Sequence, residues 1–119
     1  MILIKSKKEI DFIRESCRIV AETLQLLKSN VKVGITTLEL DKIAEDYIRS
    51  NNATPAFKGY SQGAAPGFPG SICSSVDNEV VHGIPSFRTL KSGEIISMFH
   101  LKAEFINRKD RSNAFISHF

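Results

Sequence analysis

The sequence predicts an α/β (α+β) fold in which two N-terminal helices lie against a mainly antiparallel sheet. Three observations support this. Two capping boxes, Ser6-Lys7-Lys8-Glu9 and Thr36-Thr37-Leu38-Glu39, each precede an apolar stripe of helical period. A proline- and glycine-rich interval at 53–70 then interrupts regular structure. Short β-prone runs bounded by turn residues follow, at 71–76 and 94–99. A chain of 119 residues is one small domain, able to bury a core but with little surplus for a deep enclosed site.

In the first helix Ser6 is the expected N-cap. Ile10, Ile13, Cys17, Val20, Leu24 and Leu27 recur at steps of three and four, a stripe that ends near Ser29-Asn30. The opposite face carries Asp11, Arg14, Glu15, Arg18 and Glu22, a charge mix suited to water. Residues 31–35 form a connector broken at Gly34. Thr36 caps the second helix, whose stripe is Leu40, Ile43, Ala44, Tyr47 and Ile48 and which runs out at Asn51-Asn52. Neither helix suggests chemistry on its own.

The interval 53–70 holds three prolines, four glycines, two phenylalanines and one tyrosine. A loop of small residues with aromatics at both edges is either a pocket rim or the closed edge of a core. After it, 71–76 reads as a strand, Asp77-Asn78-Glu79 as a tight turn, and Val80-Val81 as a return strand. That hairpin delivers His82 onto a Gly83-Ile84-Pro85 exit, where Gly83 permits a close approach and Pro85 ends the strand. A lone His after a strand is commonly a hydrogen-bonded structural residue. The alternative is an imidazole held over a cleft, and a Cys73–His82 nucleophile pair lacks a placed orienting residue.

Basic residues exceed acidic ones by three and are scattered, which suits solubility and gives no nucleic-acid footprint. No run approaches membrane-spanning length, and Ile2-Leu3-Ile4 before Lys5 is too short for a signal-peptide core. Two cysteines, Cys17 and Cys73, do not make a secreted disulfide framework, so a reducing cytoplasm is the expected setting. The sequence leaves the oligomeric state open.

Four motifs occur in order: Phe57-Lys58-Gly59-Tyr60, Gly67-Phe68-Pro69, Ser71-Ile72-Cys73 and His82-Gly83-Ile84-Pro85. In this combination the chain resembles the N-terminal half of type I methionine aminopeptidases, from about Ile4 to about Ser97. The resemblance implies part of a pita-bread fold, with the two helices on the outer face of a curved sheet. It makes Phe57, Tyr60, Phe68 and Cys73 the wall of a pocket for a methionine side chain. A polarizable thioether is well matched by an aromatic and thiol lining. The interval between Tyr60 and Phe68 is longer than the family's commonest form. His82 matches the catalytic-site histidine that positions the scissile peptide without ligating metal, and Asp77 stands where the family has asparagine. The implied partners are peptide N-termini bearing methionine.

Relatives of this kind hold two divalent cations, Co, Mn, Fe or Zn, on two aspartates, one histidine and two glutamates. Counted from the turn residue Gly93, the first aspartate position is occupied by Phe99, and the second falls on Asp110 without its expected neighbours. No metal ligand is therefore assigned, and no cofactor is expected for this chain alone. Residues 1–97 read as the family-like part and 98–119 as a divergent tail, either a frameshifted end or a genuine replacement. The expected function is that of a truncated methionine aminopeptidase, inactive alone. The alternatives are a non-enzymatic reader of peptide N-termini and an unstable relict of a disrupted gene.

Overall fold

The computed structural model of the chain describes residues 4–61, 63–99 and 103–105. Helix α1 (Lys7–Asn30) and helix α2 (Thr37–Ser50) begin where the capping boxes place them. The Ser6 hydroxyl accepts from the Glu9 N–H, and the Glu9 carboxylate accepts from the Ser6 N–H. Thr36 and Glu39 repeat the pattern. Each box satisfies two donors that a helix start would otherwise leave unpaired.

The buried face of α1 differs from the expected stripe. Ser16, Ile19, Val20, Thr23 and Leu27 are buried, whereas Ile10 is exposed and Cys17 is half-buried. Helix α1 packs against both α2 and the late strand Ala103–Phe105, and small side chains at 16 and 23 suit close packing. Thr23 meets the burial cost of its hydroxyl by donating to the Ile19 carbonyl at 2.7 Å. On α2 the buried set is Thr37, Leu40, Asp41, Ala44 and Ile48. Tyr47 is only half-buried, because its hydroxyl donates to Glu22 of α1 at 2.6 Å.

Four short strands complete the fold: β1 (Ala53–Pro55), β2 (Cys73–Val76), β3 (Ile96–Phe99) and β4 (Ala103–Phe105). They form two antiparallel pairs, β1 with β4 and β2 with β3. In the second pair Cys73 lies opposite Phe99 and Val76 opposite Ile96. The core is Ile19, Val20 and Leu27 from α1, Leu40, Ala44 and Ile48 from α2, with Ile35, Ala53, Ile72, Val76 and Leu90.

The expected hairpin is corrected. The turn after Val76 forms, with Glu79 N–H donating to the Val76 carbonyl, but Val80-Val81 is not a strand. The Val76 N–H, which a return strand would need, is taken by the Glu79 carboxylate at 3.2 Å. Asp77 turns the other way, at φ 50°: its N–H donates to the Ile95 carbonyl and its carboxylate accepts from the Ile95 N–H. This extends the β2–β3 ladder by one residue. Most of the expected tail at 98–119, including Asp110, lies outside the described residues.

Candidate functional site

The aromatic rim closes on itself. Gly59 N–H donates to the Phe68 carbonyl at 2.7 Å, and Phe68 N–H to the Tyr60 carbonyl at 2.8 Å, so both ends of the loop are held side by side. The rings follow the backbone. Phe57 stacks on Tyr60 with centroids 5.6 Å apart, and Phe68 tilts against Phe57 at 4.9 Å. Three of the five expected site residues therefore form one cluster. Tyr60 is its open edge, about half exposed, while Phe57 and Phe68 are half-buried.

Cys73 is fully buried at the start of β2. Burial pushes its thiol up to about 11, with the nearby Asp41 charge adding to the effect. A neutral thiol of this kind is a lining group, and is unsuited to act as a nucleophile.

The segment that carries His82 runs along the other edge of β2. Ser74 N–H donates to the Gly83 carbonyl at 2.9 Å, and Gly83 N–H donates to the Ser75 hydroxyl at 3.0 Å. The contact needs glycine, since a Cβ at position 83 would lie 2.1 Å from the Ser74 carbonyl oxygen. His82 itself is exposed and held at φ 59°, a conformation that histidine adopts more readily than most side chains. The segment is then fastened to the start of α2. Ser86 N–H donates to the Thr37 hydroxyl, Leu38 N–H to the Ser86 carbonyl, and Gly34 and Leu90 close the far end. The His82 backbone is thus fixed from both sides, although the residue lies on no regular element.

One residue the sequence reading passed over joins these parts. Asp41 is the buried charged side chain among the described residues. Its Oδ1 accepts from the Ser71 N–H at 2.6 Å and the Ile72 N–H at 2.9 Å. Burial raises its pKa, and these two hydrogen bonds oppose the rise. The available signal was its spacing: Asp41 stands three before Ala44 and seven before Ile48, on the apolar face.

Among the described residues no group of three or more His, Cys, Asp or Glu side chains could hold an ion. The position that the resemblance assigns to the first cation-binding aspartate is Phe99, whose backbone pairs with Cys73. A phenyl ring supplies no ligand atom.

Comparison with known proteins identifies the family. The model of metallopeptidase family M24 matches residues 11–99. A methionine aminopeptidase of Clostridium acetobutylicum is 50% identical over 99 residues, which are 82% of this chain and 38% of that protein. The crystal structure of methionine aminopeptidase from Thermotoga maritima matches with a TM-score of 0.80 at 26% identity, over 99% of this chain and 46% of that one. The Rickettsia prowazekii enzyme matches with a TM-score of 0.76 at 36% identity, over 87% and 39%. The chain spans less than half the length of each of these proteins.

Proposed function

Because this chain belongs to metallopeptidase family M24 and matches methionine aminopeptidases over part of their length, we propose that it is the methionine-gripping N-terminal part of such an enzyme. The observation that carries this reading is the packed cluster of Phe57, Tyr60 and Phe68. With Cys73 as a further lining group, the cluster offers ring faces and edges to a thioether. His82, exposed on a backbone pinned to β2, orients the peptide end by hydrogen bonding. The complete protein has a pita-bread fold, in which the two strand pairs are segments of one curved sheet. Its substrates are new peptides with N-terminal methionine. A cytoplasmic setting suits a chain whose two cysteines are not joined in a disulfide.

Divalent cations, when bound by a complete relative, polarise the scissile carbonyl and supply hydroxide. The described residues do not assemble ligands for them, so we assign no hydrolytic step to this chain and propose that it is inactive alone. Residues 98–119 are a divergent end, and reading the other frames of the gene after the Ser97 codon distinguishes a frameshift from a replacement. The same cluster without a donor set also favours a second reading, a peptide-end reader that never hydrolyses.

Calorimetric titration with a methionyl tripeptide in chelator tests the pocket. Saturable binding weakened by Phe68→Ala is expected, and no binding by a folded chain would refute the pocket. A release assay with added Co²⁺ or Mn²⁺ tests inactivity. Turnover above a His82→Ala control would overturn it.

A further inference from the structure

Asp41 lies close to two site-bearing segments. It holds the N–H groups of Ser71 and Ile72, which lie between Phe68 and Cys73 in the chain. Gly70, one residue earlier, is pressed between Pro85 and Asp41: a Cβ there would come within 2.9 Å of Pro85 Cγ and 3.0 Å of Asp41 Oδ1. Pro85 is three residues beyond His82. One carboxylate oxygen therefore holds the chain where the aromatic loop ends and β2 begins, beside the glycine against which the His82 segment packs.

The next turn of α2 does similar work on the other wall. Glu45 accepts from Lys58 Nζ at 2.7 Å, and Lys58 follows Phe57 directly in the chain. Arg49, one turn further, holds the other Glu45 oxygen at 2.9 Å. Two carboxylates four residues apart on one helix face thus anchor both sides of the cluster.

We infer that Asp41 is a positioning residue for the methionine pocket, fixing the separation of Phe68, Cys73 and His82 from one point on α2. The inference rests on the pocket reading above. It takes Asp41 to be more than a generic acceptor, because the N–H groups that it holds lie between Phe68 and Cys73 and its carboxylate stands beside Gly70, which packs against Pro85 of the His82 segment. Loosening it lets β2 and the aromatic loop drift apart, which weakens the fit to a long thioether more than to a methyl side chain.

The full 119-residue chain is used for the test. Methionyl-alanyl-serine and alanyl-alanyl-serine are titrated in chelator against the parent, Asp41→Asn, Asp41→Glu and Glu45→Gln. In a Cys17→Ser background, the rate of Cys73 alkylation by iodoacetamide is followed against pH. Asp41→Asn is expected to lower the preference for methionyl over alanyl peptide about tenfold, the size of one charge-assisted hydrogen bond. Cys73 alkylation should quicken and shift to lower pH, Glu45→Gln should move both readouts less, and Asp41→Glu should recover part of the loss. An Asp41→Asn chain that melts cooperatively and keeps both the preference and the alkylation profile overturns the inference.

If Asp41→Asn does not fold, the Glu45→Lys, Lys58→Glu exchange decides. Recovery by the double variant of a preference that each single variant loses supports the positioning role of the α2 face, and unaffected single variants overturn it. If the parent binds no methionyl peptide, the pocket reading fails. The alkylation rate of the fully ionised thiol, which the loss of the Asp41 charge does not itself change through the pKa, still reports whether Asp41 sets the β2 geometry.

Discussion

The helical half and the site-bearing half of the molecule are held by different kinds of bond. The starts of α1 and α2 are closed by partners three residues away, Ser6 with Glu9 and Thr36 with Glu39. Residues 70–90 are held mostly from afar: Ser71 and Ile72 by Asp41, Ser86 by Thr37, the latter pair 49 residues apart in the chain. The helices need only their own sequence and a surface to pack on. The site needs α2 already formed, since its irregular backbone has few ladder bonds of its own. The geometry of residues 70–90 is therefore a property of the helix beneath them as much as of those residues themselves.

Substitutions at the long-range ties should break this contrast hardest. Asp41→Ala leaves the Ser71 and Ile72 N–H groups buried without an acceptor and should cost about 3 kcal/mol, read from urea unfolding. A loss below one third of that would mean that water replaces the carboxylate. Gly83→Ala forces a methyl against the Ser74 carbonyl and should cost about 2 kcal/mol, with loss of amide exchange protection at Ser74. Among local ties, Thr36→Ala removes one helix cap and should cost about 1 kcal/mol, leaving the methionyl-peptide affinity unchanged. Arg14→Ala removes an exposed pair with Asp11 and should leave the melting midpoint where it is.

Acid sharpens the same contrast. Hydrogen bonding from Lys58, opposed by burial, holds the Glu45 carboxyl below its ordinary 4.5. Its stabilising effect is full above that value and is lost as pH falls through the lower folded one. Asp41 has the opposite sign. Burial raises it above its ordinary 3.8, so the folded state binds the proton more tightly and acidification through that window favours the fold. Stability profiles against pH should therefore become steeper on the acid side in Asp41→Asn and flatter in Glu45→Gln. Parallel profiles for the two variants would contradict the assignment.

Legibility followed the same division. Both caps and both helix ends could be read because each depends on a few adjacent residues. The buried face of α1 was read as running through Ile10 and Cys17, whereas close packing selected Ser16 and Thr23, small residues whose polarity disguised them. The aromatic triad was legible through the family motifs. Its assembly depends on two backbone bonds between Gly59, Tyr60 and Phe68 that no periodicity encodes. The return strand at Val80-Val81 was misread because the Glu79 carboxylate takes the Val76 N–H that such a strand would pair with. Asp41 was overlooked since a charged residue reads as solvent-facing until a buried pair of N–H groups is known to await it.

Metal stoichiometry bears most directly on whether a methionine pocket stands here apart from a cation site. Folded chain dialysed against excess Mn²⁺ and then against metal-free buffer should retain well under one ion per polypeptide by elemental analysis. Retention of two ions per polypeptide, lost on chelation and restored on reloading, would contradict it.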